Sequence, residues 1–118
     1  MTTLQQILEA LPRYRYIVAN EIKTQRGVAE VLEQHGIAFD REHVEENDRY
    51  DFLCTGGVVV EVKRALTYST ALRQAARYCR APAVTAVVIA TTRPWPEGAV
   101  ATFNEKPVHV VRLPGPQL

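Results

Sequence analysis

Apolar and polar residues change rhythm several times along the chain, and each change marks an element. Leu4, Ile7, Leu8 and Leu11 recur at helical spacing, with Thr3 as a cap, Gln6 in the capping-box position and Pro12 as a stop. A second helix is predicted from an Asn20 cap to His35, with Ile22, Val28, Ala29, Val31 and Leu32 on its apolar side and Gly36 beyond its end. The period then shortens to two. Residues 37–44 predict a strand, and residues 50–54 and 58–63 predict a hairpin around Thr55-Gly56-Gly57. A third helix starts at a Ser69 or Thr70 cap and stops before Pro82, with Leu72, Ala75, Ala76 and Cys79 pointing inward. The nearly unbroken apolar run 84–91 suits a strand covered on both faces. Residues 92–107, with their Pro94-Trp95-Pro96 turn, read as loop, and 108–113 as a last strand before a short Pro/Gly tail. Two helices, three strands, a helix and two strands predict an α/β domain with a mixed central sheet flanked by helices.

Inside the hairpin, loop length decides which residues share a face. A two-residue loop, Gly56-Gly57, sets Asp51 opposite Val62. A three-residue loop with Gly57 in the left-handed position sets Asp51 opposite Glu61, and opposite residues on antiparallel strands share a face. The second register leaves Tyr50, Phe52, Cys54, Val58, Val60 and Val62 as a continuous core surface. It is preferred on that ground alone. The other face then carries Arg49, Asp51, Glu61 and Lys63, with Leu53 and Val59 nearer the turn.

Bulk composition narrows the class without naming a function. The 118 residues fit one domain spanning 1–118, with 47% hydrophobic and 23% charged content. Cys54 and Cys79 have neither zinc-ligand nor disulfide-framework spacing, so reduced thiols and a cytoplasmic location are expected. No signal peptide or membrane span is visible. Net charge is only +1, but its distribution is uneven. Eight acids crowd residues 30–51 against Arg41 and Arg49, whereas Lys63, Arg64, Arg73, Arg77 and Arg80 follow against Glu61 alone. That split fits a cation site beside an anion-binding surface, and equally two solvated faces.

Asp51 and Glu61 as a cross-strand pair would hold their Cβ atoms about 5 Å apart. Two carboxylates so close repel unless a cation lies between them or one is protonated. Such oxygen ligands suit Mg²⁺ or Mn²⁺, and an adjacent Lys63 is placed to orient water or offset charge on a phosphate. His35, His43 and His109 have no spacing that suggests a triad.

This pattern resembles the PD-(D/E)xK nuclease superfamily. The matching residues are Asp51 in "RYDF", Glu61-Val62-Lys63 as the ExK element, and Gln74 and Tyr78 as the Gln-x-x-x-Tyr element of RecB-like members. Tyr50 stands where the name-giving motif has proline. The resemblance covers residues 20–92 and implies a restriction-endonuclease-like αβββαβ core. It also implies metal-dependent hydrolysis of a DNA phosphodiester, with Asp51 and Glu61 holding Mg²⁺ or Mn²⁺ and Lys63 assisting. A further helix carboxylate is expected at Glu21, or else at Glu30. Gln74 and Tyr78 would act near the metal or the DNA backbone. Arg64, Arg73, Arg77 and Arg80, with Lys63, would contact phosphates or are plain solvated positions. With almost no room for a target-recognition domain, a structure-, end- or single-strand-directed nuclease is expected rather than a sequence-specific one. By analogy with compact Holliday-junction resolvases of the superfamily, it is expected to be a homodimer. The competing class is a non-catalytic DNA-binding or assembly module on the same fold.

Overall fold

The computed structural model describes residues 1–116; the end of the expected Pro/Gly tail, residues 117 and 118, lies outside them. Helix α1 spans Thr3–Ala10 and α2 spans Glu21–Gln34. Strands β1 (Phe39–Glu45), β2 (Asp48–Cys54) and β3 (Val58–Lys63) follow, then α3 (Tyr68–Tyr78), β4 (Ala86–Thr91), β5 (Gly98–Phe103) and β6 (Lys106–Arg112). All six strands form one sheet in the order β1-β2-β3-β4-β6-β5. The sheet is mixed, because β3, β4 and β6 run parallel while the β1–β2, β2–β3 and β5–β6 pairs are antiparallel.

Local chemistry explains most boundaries. Asn20 caps α2 by accepting the Lys23 N–H, as expected. The other two caps lie one to three residues earlier than the sequence suggested. Thr2, not Thr3, caps α1 with Gln5 as its capping-box partner, and Thr67 caps α3 by accepting the Thr70 N–H. Ile22, expected on the apolar side of α2, is 68% exposed. The stretch expected to be loop contains β5, so β6 pairs with both β4 and β5.

The valine alternation of β3 separates two cores. Phe52, Cys54, Val58, Val60 and Val62 pack with α1 and α2 residues such as Ile7, Leu11, Val28 and Leu32. Val59, Val87, Ile89, Val108 and Val110 pack on the opposite face, against Ala71, Ala75, Tyr78 and Cys79 from α3. Burying apolar side chains on both faces at about 25 cal/mol per Å² supplies the main driving force. Both cysteines are free and buried, and burial pushes the Cys54 thiol up to about 12.

Tyr50 is the exception to the alternation. It was expected beside Phe52, but it packs on the α3 side with its ring 4.8 Å from that of Tyr78. The β1–β2 ladder is irregular at the same level. Between the Arg41–Phe52 and His43–Tyr50 pairs, the residue facing Asp51 is Glu42, whose φ of 52° breaks regular strand geometry. Residues on the two sides of that break face opposite ways, so Arg41 covers Phe52 while His43 stacks on Tyr50.

Candidate active site

The turn sets the site. Thr55, Gly56 and Gly57 form a three-residue connection in which both glycines are left-handed, at φ 78° and 80°. A Cβ on Gly57 would also run into the Ala83 carbonyl, so no other residue fits there without rearrangement. Cys54 pairs with Val58, Leu53 with Val59 and Phe52 with Val60. Continued by one residue, this register brings Asp51 opposite Glu61.

At that point the backbone ladder gives way to side chains. The Asp51 N–H donates to Glu61 Oε1 at 3.0 Å, and the Val62 N–H donates to Asp51 Oδ2 at 2.8 Å. Each carboxylate therefore satisfies an amide of the other strand. Lys63 Nζ lies 3.3 Å from Glu61 Oε2. Glu61 is 3% exposed, so this ion pair is almost fully dehydrated.

Burial dominates the electrostatics. It raises the Asp51 carboxyl, while the Val62 N–H and the Lys63 ammonium oppose the rise. Glu61 is pushed from 4.5 to about 7, first by burial and then by the charge of Asp51, against the pull of Lys63. One lysine does not neutralise two buried carboxylates. The pair therefore presents hard oxygen donors whose repulsion is relieved by a proton or by a cation, and the donor type fits a divalent cation of the Mg²⁺ or Mn²⁺ kind with waters completing its shell.

No protein-family model, no curated protein and no solved structure matches the chain.

The remaining expected site residues divide into those near the pair and those away from it. Glu21 and Glu30 are exposed on α2, and neither joins Asp51 and Glu61: among the described residues no group of three His, Cys, Asp or Glu side chains is placed to hold a metal. Tyr78 is buried, and its hydroxyl donates to the Arg49 carbonyl at 3.3 Å. It thus ties α3 to the start of β2. Gln74, one turn earlier, is half-buried. Arg73, Arg77 and Arg80 lie exposed along α3, with Arg77 Nε 2.7 Å from Asp48 Oδ1 and Arg73 donating to Thr70 Oγ1. Arg64, directly after Lys63, keeps its Nε buried without a partner among the described residues. Arg49 pairs with Glu42 at 2.7 Å on the surface.

Sequence reasoning missed two features here. The backbone bonds accepted by Asp51 and Glu61 have no signal in residue order, because they require the ladder to open. The Asp48–Arg77 pair was within reach, since Asp48 begins β2 and Arg77 lies on the helix that covers it.

Proposed function

We propose that this chain is a metal-dependent DNA nuclease of the PD-(D/E)xK type, with α2, β1, β2, β3, α3 and β4 as its αβββαβ core. One observation carries the reading: two interlocked carboxylates and a partly buried lysine, on neighbouring strands, beneath a helix with exposed arginines. Asp51 and Glu61 would hold Mg²⁺ or Mn²⁺, which when bound would supply Lewis-acid polarisation of the phosphodiester. Lys63 pulls Glu61 towards its ionised form, against burial and Asp51, and offers an ammonium to the negative charge that builds on the phosphate oxygens. The Val62 N–H orients the Asp51 carboxylate. Arg73 and Arg80 supply exposed guanidiniums matched to backbone phosphates.

A second reading, a non-catalytic DNA-binding or assembly module, is favoured by the donor set stopping at two carboxylates without Glu21. Incubation with duplex, flap, junction and single-stranded DNA in Mg²⁺, Mn²⁺ or chelator separates the two. The nuclease reading expects cleavage that needs metal and is lost in Asp51→Ala and Lys63→Ala. Absence of cleavage from every substrate, or cleavage that survives Asp51→Ala, overturns it.

A further inference from the structure

Two aromatic rings stand at the site end of the sheet, and the proposed hydrolysis uses neither. Tyr68 is the first residue of α3, five positions after Lys63. Trp95 lies four positions after Thr91, on the segment leaving β4. Lys63 and Thr91 are partners across the parallel β3–β4 ladder, so both segments depart from the same end of the sheet. There the rings meet, with centroids 5.6 Å apart and planes at 53°.

Their setting is that of fixed but accessible surface. Both rings are half-buried and rest on the core beneath α3. Pro94 and Pro96 flank Trp95, and the Arg93 N–H donates to Thr91 Oγ1, which holds the chain as it leaves the strand. Leu66, between Lys63 and Tyr68, is 38% exposed. Two arginines lie close in the chain to the rings: Arg93, two positions before Trp95, is exposed, and Arg64, four before Tyr68, keeps its Nε buried without a partner among the described residues.

Aromatic faces beside basic side chains are what unpaired nucleic acid needs, because bases stack on the rings while cations follow the phosphates. In an intact duplex the base faces are already stacked and cannot reach a protein ring. We propose that Tyr68 and Trp95 form a stacking platform for unpaired bases of a DNA strand whose phosphates run past Arg64 and Arg93 towards Lys63. The substrate class is then single-stranded or frayed DNA. This inference rests on the nuclease reading for its purpose, but its test does not.

Trp95 is the only tryptophan in the chain, so its fluorescence reports directly on the platform. The full chain is titrated in chelator, where no cleavage occurs, with an oligo-dT strand and with a blunt two-stranded duplex that has no loop. Oligo-dT is expected to quench Trp95 and to bind at least tenfold more tightly than the duplex. Fluorescence anisotropy of labelled oligo-dT should show about tenfold weaker binding by Tyr68→Leu, which keeps apolar packing but removes the π face. Trp95→Phe, which keeps a ring, should bind within about threefold of the wild type. Circular dichroism confirms that each variant is folded. Equal affinity for strand and duplex, or oligo-dT binding unchanged in a folded Tyr68→Leu, overturns the platform. Because binding is read without metal, a failed cleavage assay leaves this result standing, and a failed platform leaves the cleavage assay standing.

Discussion

The β2–β3 hairpin has two ends that solve the same problem differently. At the turn end, Phe52, Leu53 and Cys54 pair regularly with Val60, Val59 and Val58. At the open end, the amides of Asp51 and Val62 are satisfied by carboxylates instead. The first solution needs nothing but backbone and apolar side chains. The second places two acids in a dehydrated space where their charges oppose each other. A strand pair that spent all its backbone groups on itself would be more stable and would have nothing to offer a cation. The electrostatic cost at the open end is the physical feature on which the proposed cation site rests.

The sharpest break in this comparison is at the turn. Gly57→Val combines a left-handed backbone position with a collision against the Ala83 carbonyl, and should destabilise by about 3 kcal/mol or more in urea unfolding. Because the turn sets the register, the variant should also lose any metal response of the open end.

The open end should next reveal itself through pH. The folded-state carboxyl of Glu61 titrates near 7, above its ordinary 4.5, so the folded protein binds more protons than the unfolded chain between those values. Stability in chelator should therefore be highest, from this group, below about 4.5 and fall by about 3 kcal/mol as pH rises through 7. Denaturation of the wild type and of Glu61→Gln across that window checks it, since the difference between their curves should carry the slope.

A smaller effect comes from relieving the repulsion without emptying the site. Asp51→Asn keeps an oxygen for the Val62 N–H and leaves Glu61 paired with Lys63. At pH 8 in chelator it should be more stable than the wild type by about 1 kcal/mol, read as a rise in Tm. The smallest effect is expected away from the hairpin. Arg77→Ala removes an ion pair whose arginine is half exposed, and should cost less than about 1 kcal/mol, screened further by salt.

Much of this contrast was legible in residue order, because period-two alternation and a Gly-Gly turn are strong local signals. Val58, Val60 and Val62 announce one buried face, and requiring that face to be continuous selects the three-residue turn. What failed to show followed from competition between equivalent local solutions or from tertiary contacts. Thr2 and Thr3, like Thr67, Ser69 and Thr70, are all competent caps, and only the tertiary path of the chain chooses among them. Strand β5 is short and rich in alanine, with Gly98 at its start, and owes its conformation to pairing with β6. Tyr50 changes sides at the same level of the sheet at which Glu42, on the neighbouring strand, adopts positive φ, a tertiary feature with no signal around Tyr50 itself. Tyr78 fits a site motif by spacing, yet its ring fills the core against Tyr50.

Direct titration of Mn²⁺ into the metal-free protein by calorimetry, beside Asp51→Asn and Glu61→Gln, tests the central claim most closely. The account predicts saturable binding by the wild type that is lost in both variants while their folds remain intact. Mn²⁺ binding that is absent from the wild type, or equal in all three proteins, would contradict it.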